Sequence, residues 1–268
     1  MMNLEKICES VCIIARETGK FILEEKSKIT ADIIETKGSH DFVTYVDKTS
    51  ERMIVEGLKK ITPDAGFLTE EETIGLEKKE LTWIIDPLDG TTNYIHGLDP
   101  FAVSIALMNQ DQEIILGVVL EVTNDECFYA WKDSKAYLNG KEIHVSNRKT
   151  ISDSLIATGF PYYDFERLKQ FMETVEHFFK YSHGVRRLGS AATDLAYVAC
   201  GRFEAFYEYS LNPWDVAAGA LIVERAGGKV CDFKGENNYI FGKEIISTNS
   251  FVYNEFLEIV KKHMIVPE

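Results

Sequence analysis

The stretch "WIIDPLDGTTNYIHG", residues 83–97, constrains this chain more than any other. A run of apolar residues drives into a core and ends in Asp86 and Asp89, with Gly90, Thr91 and Thr92 directly behind. Buried carboxylates need solvent, hydrogen bonds or a cation. Taken alone, the pair is also explained by a solvated turn.

The same design recurs along the chain. Asp47 follows "FVTYV", and Glu70 and Glu71 follow "GFLT". Asp215 opens the apolar helix of "NPWDVAAGALIVERAGG". Carboxylates at strand ends and helix starts are aimed with little entropic cost. Hard cations such as Mg2+ take such oxygen ligands and keep several waters. Beside them, Gly90 and Thr91 start the helix-like "TTNYIH", and N–H groups at a helix start favour phosphate. Gly90 removes a side chain that would hinder close approach. Each element also has a plainer reading: Asp215 and Thr91 as helix caps, and Glu70, Glu71 and Glu72 as a solvated acidic face. The combination in one chain points to carboxylates for cations next to a cradle for a phosphoryl group.

Periodicity predicts an amphipathic helix from Leu4 to about Glu25, then a loop or irregular hairpin over 26–40. A helix is expected to begin at Asp47, a good N-cap residue. Buried strands are expected at "GFLT" and Trp83–Ile85, and antiparallel strands at Phe101–Met108, Glu113–Glu121 and Glu126–Lys132, with a turn at Asn139-Gly140. Beyond residue 150 helices and strands alternate: a strand near Leu155, a helix from Tyr163 to Lys180, a strand near Val185, a helix from Ala191 to Ala199 and a strand from Phe203 to Glu208. A helix from Val216 to Ala226, strands at Lys229–Cys231 and Ile245–Ser247, and a final helix complete the pattern. This predicts an α+β protein of two intimately packed halves, 1–150 and 151–268.

A formal net charge of -14 argues against broad nucleic-acid binding, which needs a basic footprint. No apolar run approaches the roughly 20 residues of a membrane span. The charged N-terminus does not read as a signal peptide. Five scattered cysteines, Cys8, Cys12, Cys127, Cys200 and Cys231, read as buried small hydrophobes in a reducing compartment. A cytoplasmic protein is expected, with a small molecule and neither membrane nor nucleic acid as its partner.

The ordered set "DFVTYVD", "TEEET…WIIDPLDGTTNYIHG", "RRLGSAATDLAYVACGRFEAFYE" and "NPWDVAAGALIVERAGG" resembles the inositol monophosphatase family, a branch of the Mg2+-dependent, lithium-sensitive phosphatases. The resemblance covers almost the whole chain. It implies the layered α-β-α-β-α sugar-phosphatase fold, two to three Mg2+ ions and a homodimer. It implies that Glu70, Asp86 and the Leu88 carbonyl hold one ion and that Asp86, Asp89 and Asp215 hold a second. A third leans on Glu70 through waters. Asp47, Thr91 and Glu70 would orient and deprotonate the attacking water, and Gly90 and Thr91 would hold phosphate. Asp89, Ala191 and Glu208 would meet inositol hydroxyls, with Gly189 and Ser190 beside them. Thr69 stands where a glycine is common, and Tyr94 where phenylalanine is usual. None of the histidines is required; His96 reads as a structural or surface residue.

Relatives acting on fructose 1,6-bisphosphate, 3'-phosphoadenosine 5'-phosphate or histidinol phosphate stay open. Glu208 favours a polyol, whereas Arg186 and Arg187 offer charge to a second phosphate. A regulatory protein that uses this fold to bind transcription machinery is a further alternative.

Overall fold

The computed structural model describes residues 2–28, 34–38, 41–73, 79–161 and 164–265, the side chains of 34–38 and 41–43 excepted. Helix α1 (Leu4–Lys26) opens on Asn3, whose side chain accepts the Lys6 N–H. It buries Cys8, Val11, Ala15, Thr18 and Ile22 at three- and four-residue spacing, one stripe of a 3.6-residue period. Strands β1 (Ile34–Gly38) and β2 (Asp41–Thr44) pair antiparallel with a register shift near Gly38. The other positions of the expected hairpin, 29–33 and 39–40, lie outside the described residues.

Helix α2 spans Tyr45–Ile61. Asp47 does not start it. Thr44 is the N-cap and Asp47 is the third helical residue, closing a capping box back to the Thr44 N–H at 2.8 Å. The sequence rule named the right turn of the helix and the wrong residue, because threonine and aspartate both cap.

Seven strands follow: β3 (Gly66–Thr69), β4 (Leu81–Asp89), β5 (Ala102–Asn109), β6 (Ile114–Glu121), β7 (Glu126–Trp131), β8 (Ala136–Leu138) and β9 (Lys141–Ile143). They form one sheet in sequence order, with β3 parallel to β4 and the other neighbours antiparallel. Short helix α3 (Thr91–Ile95) links β4 to β5. After a single 3-10 turn at Ile151–Asp153 come β10 (Leu155–Thr158), α4 (Leu168–Tyr181), β11 (Gly184–Arg186), α5 (Ala191–Ala199) and β12 (Ala205–Tyr209). Then follow α6 (Pro213–Arg225), β13 (Lys229–Cys231), β14 (Glu244–Thr248) and α7 (Tyr253–Met264). The second sheet has the order β11-β10-β12-β14-β13.

These elements stack in five layers. Helices α1 and α2 cover one face of the seven-stranded sheet, burying Trp83, Ile85 and Val103. Helices α5 and α6 lie between the sheets around Leu195, Phe206 and Ile222. Helices α4 and α7 cover the outer face of the five-stranded sheet, with Phe171, Phe178 and Phe256 between them. Each large apolar side chain so buried contributes about 1.5–3 kcal/mol. This is the layered fold that the sequence resemblance implies.

Two boundaries differ from expectation. Helix α4 begins at Leu168; the expected start, Tyr163, lies outside the described residues. Asp164 instead builds a turn, accepting the Glu166 N–H, and its carbonyl accepts the Tyr209 hydroxyl. Helix α6 begins at Pro213, so Asp215 is its third residue and not its opener. Pro213 fits the first turn, where a missing N–H costs nothing. All five cysteines are free, and no described helix is long and apolar enough to cross a membrane.

Candidate active site

Strand β4 delivers the central pair. Asp86 still pairs with Ser104 of β5, but the register shifts before Asp89. Pro87 has no N–H to give the ladder. In a regular strand, residues three apart point to opposite faces. The bulge re-aims the chain, and Asp86 and Asp89 both line one cleft. Asp86 is buried and its Oδ1 accepts the Leu88 N–H at 2.9 Å. The Leu88 carbonyl, also on the cleft, accepts the Thr91 hydroxyl at 3.0 Å.

Gly90 turns the chain from β4 into α3 with φ 95°, a left-handed conformation open to glycine. A side chain there would also stand 3.1 Å from the Gly189 carbonyl and 3.2 Å from that of Pro100. Thr91 follows, its hydroxyl 3.0 Å from Asp47 Oδ1. Asp47 is buried, and its Oδ2 accepts both the N–H and the hydroxyl of Thr44. A relay therefore runs Thr44–Asp47–Thr91, ending at the cleft.

Glu70, at the end of β3, and Asp215, in the first turn of α6, face the same cleft and are half-buried. The Glu70 and Asp86 carboxyls lie close enough to act on each other's ionisation. Burial pushes both well above the carboxylate range; the Asp215 charge adds to the effect on Glu70, and the Glu70 and Asp89 charges to that on Asp86. Burial and then the Asp89 charge push Asp215 up to about 8. Burial also pushes Asp89 up to about 6, against hydrogen bonds from Ser190 and from the Ala192 and Ala191 N–H groups. Among the described residues no three acid, histidine or cysteine groups already converge as a finished metal cluster. The donor chemistry nevertheless fits Mg2+. Four acids, all oxygen donors, are crowded until their charged forms are disfavoured, a state that a hard cation relieves.

The opposite wall comes from the second sheet. Gly189, Ser190 and Ala191 lead into α5, and Glu208 stands on β12. The Glu208 carboxylate lies flat against Gly159: a Cβ at 159 would fall 1.9 Å from its Oε1. Burial and the Asp215 charge push Glu208 well up. The whole cleft encloses about 430 Å³, room for a small phosphate ester.

Every site residue expected from the sequence except Asp47 lines this cleft, and Asp47 backs it through Thr91. Sequence reasoning missed Asn93, whose side-chain amide bonds the carbonyls of Pro100 and Leu188, both at 2.8 Å. It sits inside the quoted motif, and that was its only signal. Asp194, buried at 1% exposure on the cleft wall and with no partner for its Oδ1 among the described residues, was also missed. So was Gly159, for which the sequence holds no signal. The Tyr94 hydroxyl donates to the Ile22 carbonyl at 2.9 Å, so the tyrosine is accommodated where phenylalanine is usual. His96 is exposed.

Crowded acids beside the turn at Gly90 and Thr91 give the cleft a chemistry suited to divalent cations. The chain belongs to the inositol monophosphatase family, whose model matches residues 3–264. The family is Mg2+-dependent and acts on small phosphate esters. The chain is 38% identical over 256 residues to the Nus factor SuhB of Pseudomonas aeruginosa, covering 93% of this chain and 94% of that one. It is 38% identical over 250 residues to a fructose-1,6-bisphosphatase/inositol-1-monophosphatase of Thermotoga maritima, covering 93% of each. The crystal structure of extragenic suppressor protein suhB from Bartonella henselae superposes with a TM-score of 0.91 at 37% identity, over 96% of this chain and 99% of that one.

Proposed function

We propose that this chain hydrolyses inositol monophosphate to myo-inositol and phosphate. The observation that carries the reading is the cleft itself, lined together by four crowded acids, the Gly90–Thr91 turn and Glu208. Bound Mg2+, two to three ions on Glu70, Asp86, the Leu88 carbonyl, Asp89 and Asp215, would supply the charge that acidifies a water and neutralises phosphate. The chain does the rest. N–H groups of Gly90 and Thr91 hold the phosphate. The Thr91 hydroxyl orients the attacking water, and Asp47 and Glu70 take up its proton. Thr44 keeps Asp47 turned toward Thr91. Asp89, Gly189, Ser190, Ala191 and Glu208 receive the hydroxyls of the inositol ring.

Two further readings have specific support. The Thermotoga maritima relative's name includes fructose-1,6-bisphosphatase, and Arg187 lies on this cleft. The Pseudomonas aeruginosa relative's name, Nus factor, favours a role with transcription machinery, and the complete set of acids on the cleft speaks against a chain that has lost its chemistry. Hydrolysis of a panel of phosphate esters with and without Mg2+ separates the three. Inositol 1-phosphate should be the preferred substrate; no Mg2+-dependent turnover of any ester would sink the enzymatic reading. A homodimer in the cytoplasm, division of the chain near residue 150 and sensitivity to lithium are parts of the same proposal.

A further inference from the structure

Glu51 takes no part in the chemistry above, yet it is fully buried on α2. Its carboxylate is filled by one short turn. Oε2 accepts the Glu71 N–H at 2.8 Å, and Oε1 accepts the Thr73 N–H at 2.8 Å and the Thr73 hydroxyl at 2.5 Å. These donors bracket Glu72, whose φ of 48° lies in the left-handed region that residues with a side chain seldom adopt. Such a conformation persists only where its surroundings over-determine it.

The turn begins where the cleft does. Glu70 is anchored to β4 through its N–H, 3.2 Å from the Ile85 carbonyl. The next N–H, that of Glu71, goes to Glu51. Glu51 also lies one helical turn beyond Asp47 and on the same face of α2. One face of one helix thus holds both the partner of the Thr91 hydroxyl and the turn that follows Glu70.

We propose that Glu51 is a positioning residue of the metal site: it clamps the strained turn at 71–73 and so aims Glu70 into the cleft before a cation arrives. The inference rests on the reading of Glu70 as a metal ligand. A ligand held in place beforehand loses less freedom on binding. Groups that orient ligands in this way typically change metal affinity 10- to 100-fold when altered. A merely structural anchor would change melting temperature and leave affinity alone.

The test uses Mn2+ as probe, with its dissociation constant measured by calorimetry on the full chain. Glu51→Gln keeps the size but turns one acceptor into a donor facing an N–H. It should weaken Mn2+ binding about tenfold or more. Glu51→Gln with a lower melting temperature and unchanged Mn2+ affinity would overturn the proposal. Glu70→Gln tests the underlying reading by itself. Unchanged affinity there overturns both, whereas affinity lost in Glu70→Gln and kept in Glu51→Gln overturns only the clamp. Should Glu51→Gln fail to fold, hydrogen exchange on the metal-free wild type decides. The Glu71 and Thr73 amides should be protected, and free exchange at both would overturn the clamp.

Discussion

Asp89 Oδ2 stands 2.7 Å from the Ser190 hydroxyl and 2.7 Å from the Ala192 N–H. An acid from the end of the seven-stranded sheet therefore receives the start of a helix packed between the two sheets. The negative carboxylate suits the positive end of α5. The bond fixes the distance between the wall that carries hydroxyl-binding groups and the strand that carries most of the acids.

Asp86→Asn should leave the fold intact and reduce kcat below a tenth of wild type at saturating Mg2+, a barrier increase of at least ~1.4 kcal/mol. The amide keeps the size and the Leu88 contact but loses the charge at the centre of the acids. Circular dichroism with steady-state assays checks both halves of the statement. Near-normal turnover would remove Asp86 from the chemistry.

The wall can be tested separately. Gly159→Ala would drive a methyl into the space of the Glu208 carboxylate, so Glu208 must swing away. KM for inositol 1-phosphate should rise about fivefold or more, ~1 kcal/mol, with the Mg2+ requirement little changed. Glu208→Gln should likewise alter the ranking of substrates more than the metal requirement. A shifted Mg2+ requirement with an unaltered ranking would move Glu208 from the wall to the metal end.

The acid-bearing strand was legible because an apolar run that ends in "DPLDGTT" leaves few physical choices. What Pro87 does to the ladder was not legible, since the bulge exists only against β5. Asp47 and Asp215 were readable as helix-start acids but were assigned one turn position wrongly. Thr44 and Asn212 compete for the cap, and only the folded backbone decides. Glu208 entered through family spacing, not through any local pattern. Glu51 and Gly159 were invisible because their partners lie 20 or more residues away in sequence, at 71 and 73 for one and at 208 for the other. Sequence periodicity carries no information about such meetings.

Without metal, stability should fall as pH rises. Asp89 and Asp215 ordinarily titrate near 3.8 but are pushed up to about 6 and about 8 in the fold. A carboxyl so raised favours the folded state below its ordinary value, and that contribution is lost as pH climbs through the raised one. In a chelator, the protein should melt at a lower temperature at pH 8.5 than at pH 5.5. Mg2+ should raise the melting temperature more at pH 8.5, where no proton competes for the acids. Thermal scans across this range provide the check, and a flat profile in chelator would contradict it.

Lithium should inhibit more deeply as inositol 1-phosphate rises at high Mg2+. Cations bound at high Mg2+ would draw the acids around Asp215 into their charged forms, and bound phosphate adds further negative charge. A small monovalent ion can settle there after substrate binds while neutralising less charge. Kinetics over a grid of Li+, Mg2+ and substrate distinguishes this pattern from simple competition with substrate, which would require another account of Asp215.

Glu208 and Gly159 belong to the five-stranded sheet and its loops, whereas Glu70, Asp86 and Asp89 belong to the other sheet. This separation has a consequence for heredity. A duplicated gene can drift at one sheet and acquire a new diet while the other goes on cutting phosphate as before. Differences between sister copies should then gather around positions 159 and 208, and the stretch from 83 to 93 should read almost unchanged from copy to copy.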